Sequence, residues 1–166
     1  MARIYISLGT NVEPERHVIA GVADLQRHLG ALQLSRVFES EAVGFNGTNF
    51  LNMVIGAETE LSIAEVNALF KQIEQDNGRQ VQAKKFSPRS LDLDLLLYDD
   101  AVCQLPIVLP RGEILYNAFV LWPLAELIPN ELHPLVKKTY LSLWDEFDKQ
   151  SQHIWPIAFD FPQPEP

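Results

Sequence analysis

Apolar and polar positions alternate from the start of the chain. Ile4, Ile6 and Leu8 interleave with Tyr5 and Ser7, which predicts a first strand that stops at Gly9-Thr10-Asn11. The period then changes. Val18, Ile19, Val22, Leu25 and Leu29 recur at helical spacing from Pro14 to Leu29, with Pro14 suited to a first turn and Gly30 to a C-terminal cap. Residues from about Leu32 to Val43 read as a second strand, on which Leu32, Leu34 and Val37 change faces. After the turn-rich Gly44-Phe-Asn-Gly-Thr-Asn49, a third strand covers Phe50 to Glu58. Ser62 and Glu65 have capping-box spacing, and Val66, Leu69, Phe70 and Ile73 form one face of a second helix that ends at Gly78. A fourth strand runs from Ser90 to Tyr98.

The order β-α-β-β-α-β predicts an α+β fold with a ferredoxin-like core, helices on one face of an antiparallel sheet. Past Tyr98 the pattern predicts a hairpin-like piece to Leu109 and additional C-terminal helices, around Phe119–Leu127 and near Leu141–Lys149. Residues 150–166 are a Pro-rich tail, expected to be extended, with aromatics that pack onto the body or onto a partner. No repeat or linker divides the chain, so residues 1–166 are expected to be a single domain.

Composition narrows the classes. A length of 166 residues and a hydrophobic content of 47% suffice for a core without disulfides or structural metal. The net charge of -9 argues against a nucleic-acid or anionic-membrane binder. The lone Cys103 excludes an internal disulfide and a Cys-based zinc cluster, which suits a reducing compartment. With neither a signal-peptide pattern nor an 18-residue apolar stretch, a cytoplasmic protein without membrane contact is expected, and a monomer.

Candidate chemistry gathers in the fourth strand. Asp92 and Asp94 share one of its faces and Leu91, Leu93, Leu95 and Leu97 the other, with the two acids about 7 Å apart at their backbones. Asp is depleted in strands, so the pair needs a reason. One reading is an edge strand whose acids deter aggregation. The other is a metal site, and the preceding window favours it. Residues 79–89 carry the four cations Arg79, Lys84, Lys85 and Arg89 and no acid. Carboxylates that hold Mg²⁺, beside Lys and Arg that neutralise phosphate charge, are the layout for a metal-bound polyphosphate.

Ser7-Leu-Gly-Thr-Asn11, Phe50-Leu-Asn52, Glu74 with Gly78-Arg79, Pro88-Arg-Ser-Leu-Asp-Leu-Asp94 and Phe119 with Leu121-Trp-Pro-Leu124 stand in that order. Together they resemble the 6-hydroxymethyl-7,8-dihydropterin pyrophosphokinase family of folate biosynthesis, over about residues 4 to 130. The Pro-Arg-Ser-Leu-Asp-Leu-Asp segment is the most specific part. The resemblance implies a ferredoxin-like fold, and transfer of pyrophosphate from ATP as co-substrate to the hydroxymethyl group of a reduced pterin, with two Mg²⁺. It implies that Asp92 and Asp94 hold the metals and that Arg79 and Arg89 contact nucleotide phosphates. It also implies that Glu74 lies near the site, and Lys84 and Lys85 are expected on the nucleotide side. Phe50 and Phe119 would sandwich the pterin, Asn52 would read its edge, and the main chain from Ser40 to Val43 would complete recognition.

Departures from the family pattern bear on the nucleotide. Where the family usually has His-Tyr and, further on, an Arg two residues before the Phe, this chain has Arg111, Gly112 and Asn117. Arg111 is the candidate to restore the missing charge. Phe86 and Val81 stand where Trp and a second Arg are often found. A relative that binds pterin or nucleotide without efficient transfer, and a kinase for another hydroxylated heterocycle, therefore remain as alternatives.

Overall fold

A nine-residue strand, β1 (Ala2–Thr10), runs through the middle of the molecule and pairs along both of its sides. The structure, a computed structural model, describes residues 1–41, 49–78 and 90–162. On one side β1 meets β4 (Phe50–Thr59) and on the other β5 (Asp92–Tyr98), both antiparallel. The sheet continues from β4 to β3 (Val37–Ser40) and then to β6 (Ile154–Ile157), giving the order β5-β1-β4-β3-β6. The short β2 (Gln33–Leu34) also pairs with β4. Leaving β6 aside, this is the ferredoxin-like order expected from the sequence pattern.

Local chemistry sets the first two helices where the pattern puts them. α1 spans Pro14–Leu29 and stops at Gly30, whose φ of 82° is open to glycine at little cost. α2 (Ile63–Asp76) begins with a formed capping box: Ser62 Oγ accepts the Glu65 N–H at 3.2 Å, and Glu65 Oε1 accepts the Ser62 N–H at 2.9 Å. Val18, Val22 and Leu25 of α1 and Val66, Phe70 and Ile73 of α2 pack on Ile4, Ile6, Leu8, Met53, Leu91 and Leu93 to form the main core.

The opposite face of the sheet is covered as well, which corrects the picture of helices on one face only. α3 (Ala118–Leu127) and α4 (Tyr140–Glu146) bury Val120, Leu121, Leu124 and Tyr140 against Tyr5, Val54, Leu96 and Leu97. A 3-10 turn (Gly112–Leu115) leads into α3 and contributes Ile114 to that second core. Among the described residues, no helix is long and apolar enough to cross a membrane.

Three further expectations change. The second strand expected over Leu32 to Val43 is instead two short ones, β2 and β3, broken at Ser35 and Arg36. There the Ser35 hydroxyl accepts the Val54 N–H at 2.9 Å, so a side chain replaces a ladder bond. Val43 lies outside the described residues. Leu97 does not share a face with Leu91, Leu93 and Leu95. The β1–β5 register passes from Ile6 opposite Leu95 to Tyr5 opposite Leu97, so Leu96 is an extra residue that bulges β5 and turns Leu97 to the second core. Residues 154–157 of the tail are a strand, antiparallel to β3, and Pro156 is tolerated because β6 is the sheet edge.

Phe70 is 1% exposed between α2 and the sheet. Phe70→Ala is expected to cost about 3–5 kcal/mol, read as a lower urea midpoint with an unchanged slope. A midpoint within error of the parent would mean that α2 does not pack as described.

Candidate functional site

Side chains on neighbouring strands that share a register position project to the same face. Gly9 of β1 lies opposite Asn52 of β4 on one side and Asp92 of β5 on the other, and Ser7 lies opposite Asp94. One end of the sheet therefore presents Ser7, Gly9, Phe50, Asn52, Asp92 and Asp94 together, on the face covered by α3 and not by α1 and α2. They form the floor of a cavity of about 870 Å³. Ser40 and Glu41 close it beside β4, Arg111, Glu113, Asn117 and Phe119 form another wall, and Gln150 to Ile154 complete it.

Asn52 is 5% exposed, and its Nδ2 donates to Ser40 Oγ at 2.9 Å. A Cβ on residue 9 would stand 3.2 Å from Asn52 Oδ1, so glycine at that position leaves the amide its room. Phe50 at the start of β4 and Phe119 in the first turn of α3 are half-buried and line the same cavity. A polar amide flanked by two aromatic rings suits a flat heterocycle with hydrogen-bonding edges.

The acids lie a short way along the floor. Burial pushes the Asp94 carboxyl above the ordinary aspartate range. Arg111 pulls it back, Asp92 and Glu113 push it further up, and Lys71 opposes them. Arg111 Nη2 lies 3.5 Å from Asp94 Oδ1 and 2.7 Å from Glu113 Oε1. Glu113 Oε2 accepts from Asn117 Nδ2 at 2.9 Å, so one carboxylate holds two of the residues that depart from the family pattern, Arg111 and Asn117. The bulge in β5 has a use here: the Leu96 carbonyl accepts the Arg111 N–H at 3.0 Å, which ties Arg111 beside the strand that bears Asp94.

A second cavity, of about 460 Å³, adjoins the first and shares Asp94, Arg111 and Glu113 with it. Pro106, Ile107, Val108 and Tyr116 supply its apolar side and Asn67 and Gln104 its polar side. The pair of carboxylates suits Mg²⁺, which takes one or two protein carboxylates and leaves its other positions to water and phosphate. Crowding by Asp92 and Glu113, which hinders ionisation of Asp94, is relieved by a bound cation. Among the described residues, no group of three or more His, Cys, Asp or Glu is placed to hold a metal.

The expected site residues divide three ways. Asp92, Asp94, Arg111, Asn52, Phe50, Phe119 and Ser40 meet at one cavity. Glu74 is 3% exposed on α2 and does not line it. Its Oε2 accepts the Leu93 N–H at 2.9 Å, between the two aspartates, so it braces the edge strand from outside the cavity. Arg79, Lys84, Lys85, Arg89 and Val43 lie outside the described residues. Sequence reasoning passed over Glu113 and the wall from Gln150 to Ile154. Glu113 had a faint signal, its spacing of four from Asn117 on a turn leading into a helix. The C-terminal wall had none.

The family model described as 7,8-dihydro-6-hydroxymethylpterin-pyrophosphokinase matches residues 5–129. The chain is 36% identical over 141 residues to the 2-amino-4-hydroxy-6-hydroxymethyldihydropteridine pyrophosphokinase of Aquifex aeolicus, across 83% of this chain and 88% of that one. It is 30% identical over 157 residues to the protein of the same name from Synechocystis, across 92% and 79%. A crystal structure of a Plasmodium falciparum HPPK-DHPS variant with STZ-DHP is similar with a TM-score of 0.73 at 11% identity, over 87% of this chain. The chain spans about 45% of that longer one, and at such identity the likeness concerns the fold.

Ser40 is 8% exposed and takes the Asn52 amide proton. Ser40→Ala is expected to leave that donor buried without a partner and to lower stability by about 1–3 kcal/mol in urea unfolding. A variant as stable as the parent would show that the amide finds another acceptor.

Proposed function

The chain belongs to the 7,8-dihydro-6-hydroxymethylpterin-pyrophosphokinase family, and on that premise we propose that it transfers pyrophosphate from ATP to the hydroxymethyl group of 6-hydroxymethyl-7,8-dihydropterin, a step of folate biosynthesis. One observation carries the assignment of the site. Asp94 and Arg111 stand on the border of two adjoining cavities, one bearing the aromatic pair and the amide, the other free for a second substrate. Transfer between two substrates takes place where they meet, and that is where the charged groups are.

In this reading the pterin lies between Phe50 and Phe119, with its edge against Asn52 and Ser40. The nucleotide lies over the second cavity, its phosphates toward Asp94 and Arg111. The hydroxymethyl oxygen forms a bond to the β-phosphorus. The bond from that phosphorus to the α,β-bridging oxygen breaks, and AMP leaves with the electron pair. The hydroxyl proton passes to one of the site carboxylates. No protein nucleophile is required, so the residues act by holding two substrates in line and by balancing charge. Two Mg²⁺, held by Asp92 and Asp94, would neutralise the triphosphate and stabilise charge on the transferred group.

Arg111 takes a particular part. Position 117 carries an uncharged amide, already bonded to Glu113, while the same carboxylate aims the Arg111 guanidinium at Asp94. The cation is thus supplied from the start of the 3-10 turn and not from the start of α3. A guanidinium with several donors suits phosphate oxygens. The cations at 79, 84, 85 and 89 are proposed to contact the nucleotide phosphates. We further propose that it acts as a monomer in the cytoplasm.

The direct test is AMP release on incubation with the hydroxymethyl-dihydropterin, ATP and Mg²⁺. Pterin binding by calorimetry without AMP release would make the chain a binding module. Asp94→Ala is expected to abolish turnover while pterin affinity changes little, since metal and pterin contacts fall on different residues. Equal loss of both in a folded variant would contradict that division. Arg111→Ala is expected to raise the KM for ATP by about tenfold or more and to leave the KM for pterin within about twofold, as the loss of one charge-assisted contact implies.

A further inference from the structure

The segment after α4 lies beyond the stretch matched to the family, which ends at residue 129, and yet it forms a wall of the larger cavity. Within it, Gln152 reaches back across the fold to the start of α3. Its Oε1 accepts the Ala118 N–H at 2.7 Å, and its Nε2 donates to the Tyr116 carbonyl at 2.7 Å. The two bonds straddle Asn117. That residue holds the N-cap position of α3 but makes no side-chain cap bond, and its Nδ2 donates to Glu113. The first N–H groups of a helix have no partner within it, and here Gln152 supplies an oxygen to the first of them.

Phe119 follows Ala118 directly, so the clamp acts one residue from the ring. The other end of the same segment is fastened to the opposite wall. Ile154 pairs with Ser40 in the β3–β6 ladder, and His153 Nδ1 lies 2.7 Å from Glu41 Oε1. Ser40 in turn holds the Asn52 amide. One short stretch therefore joins the helix that carries the ring to the strands that carry the amide, and fixes the distance between them.

We propose that Gln152 is a positioning residue for the heterocyclic substrate: by clamping the backbone on both sides of Asn117 it holds the Phe119 ring against the Asn52 edge site. The inference rests on the pterin reading given above and adds to it a residue from outside the family-matched stretch. It predicts selectivity between the two substrates. The ring wall belongs to the larger cavity alone, and although Tyr116 lines the second, Gln152 holds only its main-chain carbonyl; the charged border shared by both cavities is held by Glu113 and the β5 bulge, which Gln152 does not touch.

The experiment is steady-state kinetics and ligand-free amide hydrogen exchange on the full chain, its Gln152→Ala variant and its Gln152→Glu variant. Losing both bonds in Gln152→Ala is expected to raise the KM for the pterin about tenfold, with the KM for ATP within about twofold of the parent. Gln152→Glu keeps the acceptor for Ala118 N–H, and its charge suits a helix N-terminus, so it is expected to return the pterin KM to within about threefold of the parent. Equal rises in both Michaelis constants, or no rise in either, would overturn the proposal. Exchange at the Ala118 amide is expected to speed up in Gln152→Ala, and unchanged protection there would overturn the clamp whatever the chain binds. Faster exchange at Ala118 in Gln152→Ala, beside a parent chain that neither binds nor converts the pterin, would uphold the clamp and remove the pterin reading instead.

Discussion

A strand with partners on both sides imposes its two-residue period on its neighbours, and the site depends on that constraint. Through β1 the parity of Ser7 and Gly9 is shared by Phe50 and Asn52 on one flank and by Asp92 and Asp94 on the other. A one-residue slip in either ladder would send the amide or the acids to the opposite face, into the core under α1 and α2. The apolar residues of opposite parity, Leu8, Met53, Leu91 and Leu93, are what oppose such a slip. Burial on one face thereby fixes polar geometry on the other.

Among the described residues, acids gather around an arginine in the site. Asp92, Asp94, Glu113 and Glu41 all face the larger cavity, and Arg111 is the cation that stands with them. Its guanidinium is fastened twice, through its side chain to Glu113 and through its backbone to the bulged Leu96. Burial first, and then Asp92 and Glu113, push the Asp94 carboxyl above the ordinary aspartate range, and Arg111 opposes them.

Covering the second face of the sheet creates the cavity. α3 and α4 cover one part of this face, and α3 begins beside the polar end of the strands. The 3-10 turn and the stretch from Gln150 to Ile154 surround the opening without filling it. Farther along the same face, Phe38, Trp122, Trp144 and Phe147 stack in sequence and keep α3 and α4 on the sheet. Aromatic packing anchors the roof at one end and hydrogen bonds shape it at the other.

Much of the fold was legible in the sequence because it is written in neighbouring residues. Helical spacing and the capping box put α1 and α2 in place, and alternation put Asp92 and Asp94 on one face. The aromatic pair and Asn52 were found by resemblance to a family, and the structure brings them to the cavity of the aspartates. What periodicity misses is whatever departs from it or spans the fold. The bulge at Leu96, which reverses Leu97 and moors Arg111, follows from how β5 meets β1 and not from its own residues. Glu74 looked like a site acid, but α2 places it behind the edge strand, on a backbone N–H. The C-terminal segment looked like an extended tail, and joined the sheet because β3 offered an open edge. Short-range order is a property of adjacent side chains and can be read from them. Contacts between distant segments are decided by which surfaces remain uncovered once those local pieces have packed.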